Sequence, residues 1–166
     1  FKESFQHAKE IIHEGADIID IGAESSKPGS EPVSSQVQIK KIEPVVEAIR
    51  EISNIPISID TRSSDVIKKL TKYRINIVND ISALQDMELI SVIKDNNLMV
   101  SLMHMQGVPK NMQDNPSYDD VVSDVYDYLE KKVELCVNSG IDKSNIIIDP
   151  GFGFGKTLDH NYLLLN

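Results

Sequence analysis

A chain of 166 residues, 40% apolar and with 8 glycines and 7 prolines, has the length and composition of one soluble domain with one core. Its 17 basic and 26 acidic residues leave a net charge of −9, with no basic run longer than a Lys pair. That balance excludes a nucleic-acid surface or a polybasic membrane patch and leaves small molecules or proteins as partners.

The chain begins without Met, on a segment (FKESFQHAKEIIHEG) that is charged throughout, so no signal peptide is visible; no run of 18 apolar residues offers a membrane span. In chain order, the periodicity predicts a helix over 2–13, a strand over 16–21, a helix over 34–53 and a strand over 56–59. A helix over 63–73, a strand over 75–78, a helix over 86–95, a strand over 98–103, a helix over 118–139 closed by Gly140, and a strand over 145–148 follow. The strand candidates are almost wholly apolar, as strands covered on both faces are. Cys136, the single cysteine, rules out an internal disulfide and sits at helical spacing in KKVELCVNSG, where it reads as a packed residue. A reducing, cytoplasmic setting is the default. The chain stops on YLLLN without a cap or turn signal, so a domain truncated at both ends is expected.

Every strand candidate ends in polar residues: DIGAESSKPG, SIDTRS, VNDISA, LMHMQG and IDPGFGFGK. Polar residues placed always after the strand are the pattern of a (β/α) barrel, whose site is built from the loops at the carboxyl ends of its strands. A doubly wound sheet would place its ligand only beside a switch point. The expected fold is therefore α/β, with a (β/α) barrel favoured over an open sheet and about five β/α units in these residues.

Asp60 and Asp149 each follow an apolar run, where an Asp commonly caps a helix or forms a turn. Together with Asn79 and Asp80 at a third strand end, they would converge on one mouth and match a planar, donor-rich heterocycle. GFGFGK lacks the spacing of the phosphate-binding loops, so nucleotide binding is rejected. Its glycines would let the backbone approach a ligand, with Phe152 and Phe154 as apolar walls. His104 has no second His or Cys at ligand spacing; a hydrogen-bonded structural role is at least as good a reading as a general base. The ESSKPGSEPVS segment lacks apolar anchors and reads as a mobile loop.

Five segments taken together resemble the successive signatures of the dihydropteroate synthase family: GADIIDIGAESSKPGSEPVS, ISIDTR, IVNDISAL, LMHMQGVPKNMQ with NPSY, and IIIDPGFGFGKT followed by HN. The resemblance covers essentially residues 1–166 as one pterin-binding barrel domain and implies a TIM (β/α)8 barrel, present here as a partial barrel of about five β/α units. It implies a magnesium-dependent transferase of folate biosynthesis, a sulfonamide target that condenses a dihydropterin methyl diphosphate with 4-aminobenzoate. The family commonly forms homodimers. Carried over by motif, the resemblance places Asp60, Asn79 and Asp149 on the pterin's amino and amide edges, with Ile81 and Met103 packed on the ring. Ser26, Lys27, Pro28 and Gly29 lie on the loop that closes over the diphosphate and helps shape the aminobenzoate site with Phe154, and Gly153 is placed among the substrate-binding residues. The implied chemistry is dissociative: Asp60 and Asp149 stabilise the pterin cation and magnesium takes the charge of the departing diphosphate. Two other readings share the pattern, a folate-holding barrel of a methyltetrahydrofolate methyltransferase and an inactive remnant; ESSKPG and DPGFGFGKT favour the synthase.

The chain departs from the family at three places. Ser26 and Lys27 stand where Thr and Arg are usual, and Arg74 stands where a small residue is common. The family's Asn ligand for magnesium is expected upstream of Phe1, and its later Lys, Arg and His downstream of Asn166, so no metal ligand is assigned within these residues.

Overall fold

The computed structural model describes residues 1–166. Five strands alternate with helices: α1 (Lys2–His13), β1 (Ile19–Gly22), α2 (Ser35–Ile52), β2 (Ile57–Asp60), α3 (Ser64–Leu70), β3 (Ile77–Asp80), α4 (Glu88–Asp95), β4 (Met99–Met103), α5 (Val121–Asn138), β5 (Ile146–Asp149) and α6 (Leu158–Leu165). All strand pairs are parallel and the order β1-β2-β3-β4-β5 follows the chain without a switch point. That sequential accumulation is how a barrel wall is laid down, and it removes the doubly wound alternative.

The helices cover one face of this sheet. On α2 the buried positions Gln38, Ile42, Val45, Val46 and Ile49 recur at helical spacing, and Val66, Ile67 and Leu70 of α3, Leu89 and Ile93 of α4, and Val121, Val125 and Leu129 of α5 continue the layer. They meet Ile57, Ile59, Val78, Val100 and Leu102, none of which is accessible. Cys136 is buried within this layer, and burial pushes its thiol up, so packing is its role. No helix is long and apolar enough to cross a membrane.

Element ends differ from expectation where local chemistry intervenes. The α5 helix starts after Asp120, whose carboxylate accepts from the backbone N–H groups of Val122 and Ser123 at 3.0 Å; this cap displaces the expected start at Tyr118. The expected 63–73 helix breaks after Leu70 into a single tighter turn, Thr71–Tyr73, which stops at a left-handed Arg74. α6 was not expected: Thr157 caps it, accepting from the His160 N–H while His160 Nδ1 accepts from the Thr157 N–H. His takes the place of the usual Glu or Gln in that reciprocal cap, which is why the start signal is easily overlooked.

The amino ends of β2 and β3 are held by one side chain. The Arg50 guanidinium donates to the carbonyls of Ser53, Ile55, Tyr73 and Arg74 and to Asn76 Oδ1, and that same Asn76 oxygen accepts from the Ile57 N–H at 3.0 Å. Arg50→Met is expected to cost about 2–4 kcal/mol, since it strands several partly buried acceptors at once. Urea denaturation of the complete protein would show it, and an unchanged midpoint would refute this clamp.

Candidate functional site

Successive residues of a strand face opposite sides, so the register decides which polar groups share the mouth. Gly22 pairs with Asp60 and Asp60 with Asn79, while Met103 pairs with Asp149. The Asn79 amide reaches the Asp20 carboxylate at 3.5 Å, across the intervening β2. Side chains on β1 and β3 can meet over β2 only if the sheet curves toward them, so Asp20, Asp60 and Asn79 lie on the concave face. Gly22 makes room for this cluster: a Cβ there would come within 3.1 Å of the Asp60 Cβ.

Asp60 is only partly covered, yet its carboxyl is pushed up to about 6, mainly by burial and then by the neighbouring acids Asp20, Glu24 and Asp80, against which Arg62 works. The mouth is thus an acidic environment in which Arg62 is the one opposing cation, and it favours an incoming donor or positive charge.

Asp80 does not join it. The alternation that turns Asn79 inward turns Asp80 outward, where it is fully buried and accepts from the Ser82 N–H and Oγ and the Leu84 N–H at 2.7–2.8 Å. Its carboxyl is raised by burial and held down in part by those bonds. Ala83 and Leu84 have φ of 49° and 65°, a conformation that costs energy in non-glycine residues, and Asp80 is the group that stabilises this turn. The expectation that Asp80 converges on the mouth is therefore corrected: it is a turn-forming acid.

A cleft of about 220 Å³ opens beside Asp60, walled by the β1 loop (Glu24, Ser25, Ser26, Ser30, Glu31, Pro32), by Arg62 and Ile81, and by Val108, Pro109 and Lys110 of the β4 loop. The two loops touch through the Gly29 N–H on the Pro109 carbonyl at 2.9 Å and the ion pair of Lys110 with Glu31 at 2.8 Å.

The glycine-rich loop after β5 is organised from beneath. Lys156 is 3% exposed, and its ammonium donates to the carbonyls of Gly151 (2.9 Å), Phe154 (3.0 Å) and His104 (3.3 Å) and to His104 Nδ1 (3.0 Å). An ammonium can only donate, so His104 Nδ1 accepts and the imidazole proton sits on Nε2. Burial lowers Lys156 to about 8, and burial together with the Lys156 charge lowers His104 to about 4, so the ring is neutral near pH 7. The Tyr128 ring meets His104 edge-on, and the Tyr118 hydroxyl donates to the Gly155 carbonyl at 2.7 Å. His104 is a structural, hydrogen-bonded histidine.

The close approach made by these glycines is to the protein itself. A Cβ on Gly151 would overlap the His104 carbonyl, and φ there is +69°; Gly153, by contrast, faces open space. Phe152 is exposed, and Phe154 is half-buried. Asp149 accepts from the Gly151 N–H at 2.7 Å, which ties the acid to the turn that follows it.

Of the residues expected at the site, Ser26, Asp60 and Ile81 share the 220 Å³ cleft. Lys27 and Pro28 sit exposed on the same loop, Asn79 lies beside Asp20, and Met103 is buried behind Gly151. Asp149, Gly153 and Phe154 lie on the β5 side, outside that cleft. Sequence reasoning missed Asp20, Glu24, Arg62 and Lys156. An Asp two residues before a strand end, inside the apolar ADIIDIG, was the available signal for Asp20; the partners of the other three lie on distant segments.

A sequence profile described as that of the pterin binding enzymes matches residues 1–166. The chain is 43% identical over 163 residues to the dihydropteroate synthase of Escherichia coli K12, a match covering 98% of this chain and 58% of that protein. The Yersinia pestis dihydropteroate synthase crystallised with a sulfonamide drug superposes with a TM-score of 0.92 at 43% identity, over 96% of this chain and 58% of that one. The Xanthomonas albilineans dihydropteroate synthase solved with 4-aminobenzoic acid gives 0.91 at 35% identity, over 99% and 58%. The chain thus spans a little over half the length of these relatives. With a five-strand parallel wall, an acidic concave mouth and a family profile that matches from end to end, the chain belongs to the pterin-binding enzyme family, where its similarity is to the dihydropteroate synthases.

Proposed function

We propose that residues 1–166 are the central, pterin-holding part of a dihydropteroate synthase, which joins (7,8-dihydropterin-6-yl)methyl diphosphate to 4-aminobenzoate and releases diphosphate. The observation that carries this reading is the concave-face cluster of Asp60 with Asn79 and Asp20, on a chain 43% identical to a dihydropteroate synthase. A pterin presents amino and ring N–H donors along one edge; carboxylates and an amide oxygen are the matching acceptors. As the methylene–oxygen bond breaks, positive charge spreads into the ring. Asp60, whose carboxyl is pushed up to about 6, and Asp149, held by the Gly151 N–H, stabilise that charge without reorganising, an effect worth about 2–4 kcal/mol per group. The 4-aminobenzoate nitrogen then attacks the methylene carbon, and no side chain of this segment acts as nucleophile.

Magnesium would neutralise the departing diphosphate when bound. The side chains of this segment do not form a cage for it, since no three His, Cys, Asp or Glu groups come together at ligand spacing, and no step here is routed through the ion.

The direct test is an assay of the complete protein with the pterin diphosphate and 4-aminobenzoate, following dihydropteroate formation; absence of product in a folded protein would refute the reading. Within that assay Lys27→Arg is expected to keep activity within about threefold of the parent, because the charge is retained on an exposed loop position where a guanidinium adds donors and removes none. Loss of turnover in that variant would mean that the loop closes in another geometry.

A further inference from the structure

The β1 loop is closed at its base by two clasps that both come from the residues just after β2. Glu24, at the start of the loop, receives a forked contact from Arg62, Nη2 to Oε1 at 2.6 Å and Nε to Oε2 at 3.4 Å. The same Oε1 accepts from the N–H of Val33, at the far end of the loop, at 3.1 Å. One carboxylate therefore holds both ends of residues 24–33 against Arg62. The second clasp is neutral: Gln38 donates to the Val33 carbonyl at 2.8 Å and accepts from the Thr61 hydroxyl at 2.7 Å.

The two clasps differ in setting. Thr61 and Gln38 are 1% and 3% exposed and belong to the packed interior, where losing a bond is a matter of stability. Arg62 and Glu24 stand in the wall of the cleft beside Asp60, with side chains 26% and 11% exposed. Beyond this base the loop is held by little. The Lys110–Glu31 pair is 65% and 69% exposed, and such surface pairs contribute little, which leaves the Gly29 contact to Pro109.

We propose that Arg62 and Glu24 are a positioning pair: they hold the 24–33 loop closed over the mouth, and by neutralising one another they keep Glu24 from adding its full charge to the acids around Asp60. This rests on the reading of Asp60 as an acceptor for the pterin. The charged groups that act on Asp60 are Asp20 from β1, Glu24 from the β1 loop, Asp80 from the far face of β3 and Arg62 from its own loop, and Arg62 is the one cation among them. Removing Arg62 unlatches the loop and makes Asp60 harder to ionise. Removing the Glu24 charge unlatches the loop and makes Asp60 easier to ionise. The affinity effect is shared; the pH effect is opposite.

The test uses Arg62→Gln, Glu24→Gln, the double variant and Arg62→Lys in the complete protein. Both single variants are expected to raise the KM for 4-aminobenzoate about tenfold with kcat within about threefold, and the double variant to match the singles because one contact has been removed. The acid limb of kcat/KM moves to higher pH in Arg62→Gln and to lower pH in Glu24→Gln, while Arg62→Lys recovers part of the affinity. A nitroxide on Glu31→Cys reads the loop without any assay, since Cys136 is buried and stays unlabelled; its mobility rises in both single variants. Thr61→Val lowers Tm and leaves KM and label mobility in place. Unchanged KM and unchanged mobility in Arg62→Gln, or limbs that move the same way in both single variants, would overturn the proposal. A protein that makes no dihydropteroate would refute the functional reading instead, with the label still reporting on the clasp.

Discussion

Asp60→Asn and Asp149→Asn are each expected to cut dihydropteroate turnover by the complete protein at least about tenfold, because each replaces a fixed negative charge by a neutral amide where positive charge develops. Asp60→Asn also carries a pH-dependent effect on stability. Asp60 has its carboxyl raised to about 6, so in the folded protein the charged form is disfavoured and its cost is present above about pH 6 and absent below about pH 4. Asp60→Asn is therefore expected to be more stable than the parent at pH 7–8 by roughly 1–2 kcal/mol, after allowance for the part of the group that meets solvent, with the difference vanishing in acid. In Asp149→Asn the bond from the Gly151 N–H survives on the amide oxygen. The parent should show a rising limb of kcat/KM near pH 6 that Asp60→Asn abolishes. Melting curves across pH 4–8 and steady-state rates decide this. If both variants turned over like the parent, the proposed acid roles would be wrong.

Lys156→Met and Gly151→Ala are expected to collapse the glycine-rich loop by different routes. Met has nearly the volume of Lys but no donor, so the carbonyls of Gly151 and Phe154 lose their partner in the interior, at a cost of about 2–4 kcal/mol. Gly151→Ala puts a methyl into the His104 carbonyl at a backbone angle of +69°, and either the loop or β4 must move. Because Asp149 is bonded to the Gly151 N–H, both changes should also loosen binding of a pterin analogue about tenfold or more. Isothermal titration with such an analogue, alongside thermal melts, separates loop collapse from global unfolding. Affinity equal to the parent's in both variants would show that the loop does not support Asp149.

Local chemistry along the chain was sufficient for the architecture and for marking the strand ends as polar. Apolar four-residue runs followed by polar ends, alternating with segments of helical period, can be satisfied only by parallel strands covered by helices, and that pattern survives any detail of packing. The acids at 60 and 149 and the amide at 79 stand out in the sequence for the same reason, since a polar side chain directly after an apolar run is conspicuous. Which way those groups point was settled by tertiary structure. Asn79 and Asp80 are neighbours with similar chemistry, but the strand's two-residue period sends one to the mouth and the other into a strained turn. The partnerships of Arg62 with Glu24, Lys156 with His104, and Arg50 with Asn76 join residues 38, 52 and 26 positions apart. No periodicity connects such distant positions. They meet because the sheet curves and brings separate loops to one end, and a buried or half-buried charge must take whatever donor or acceptor that curvature delivers.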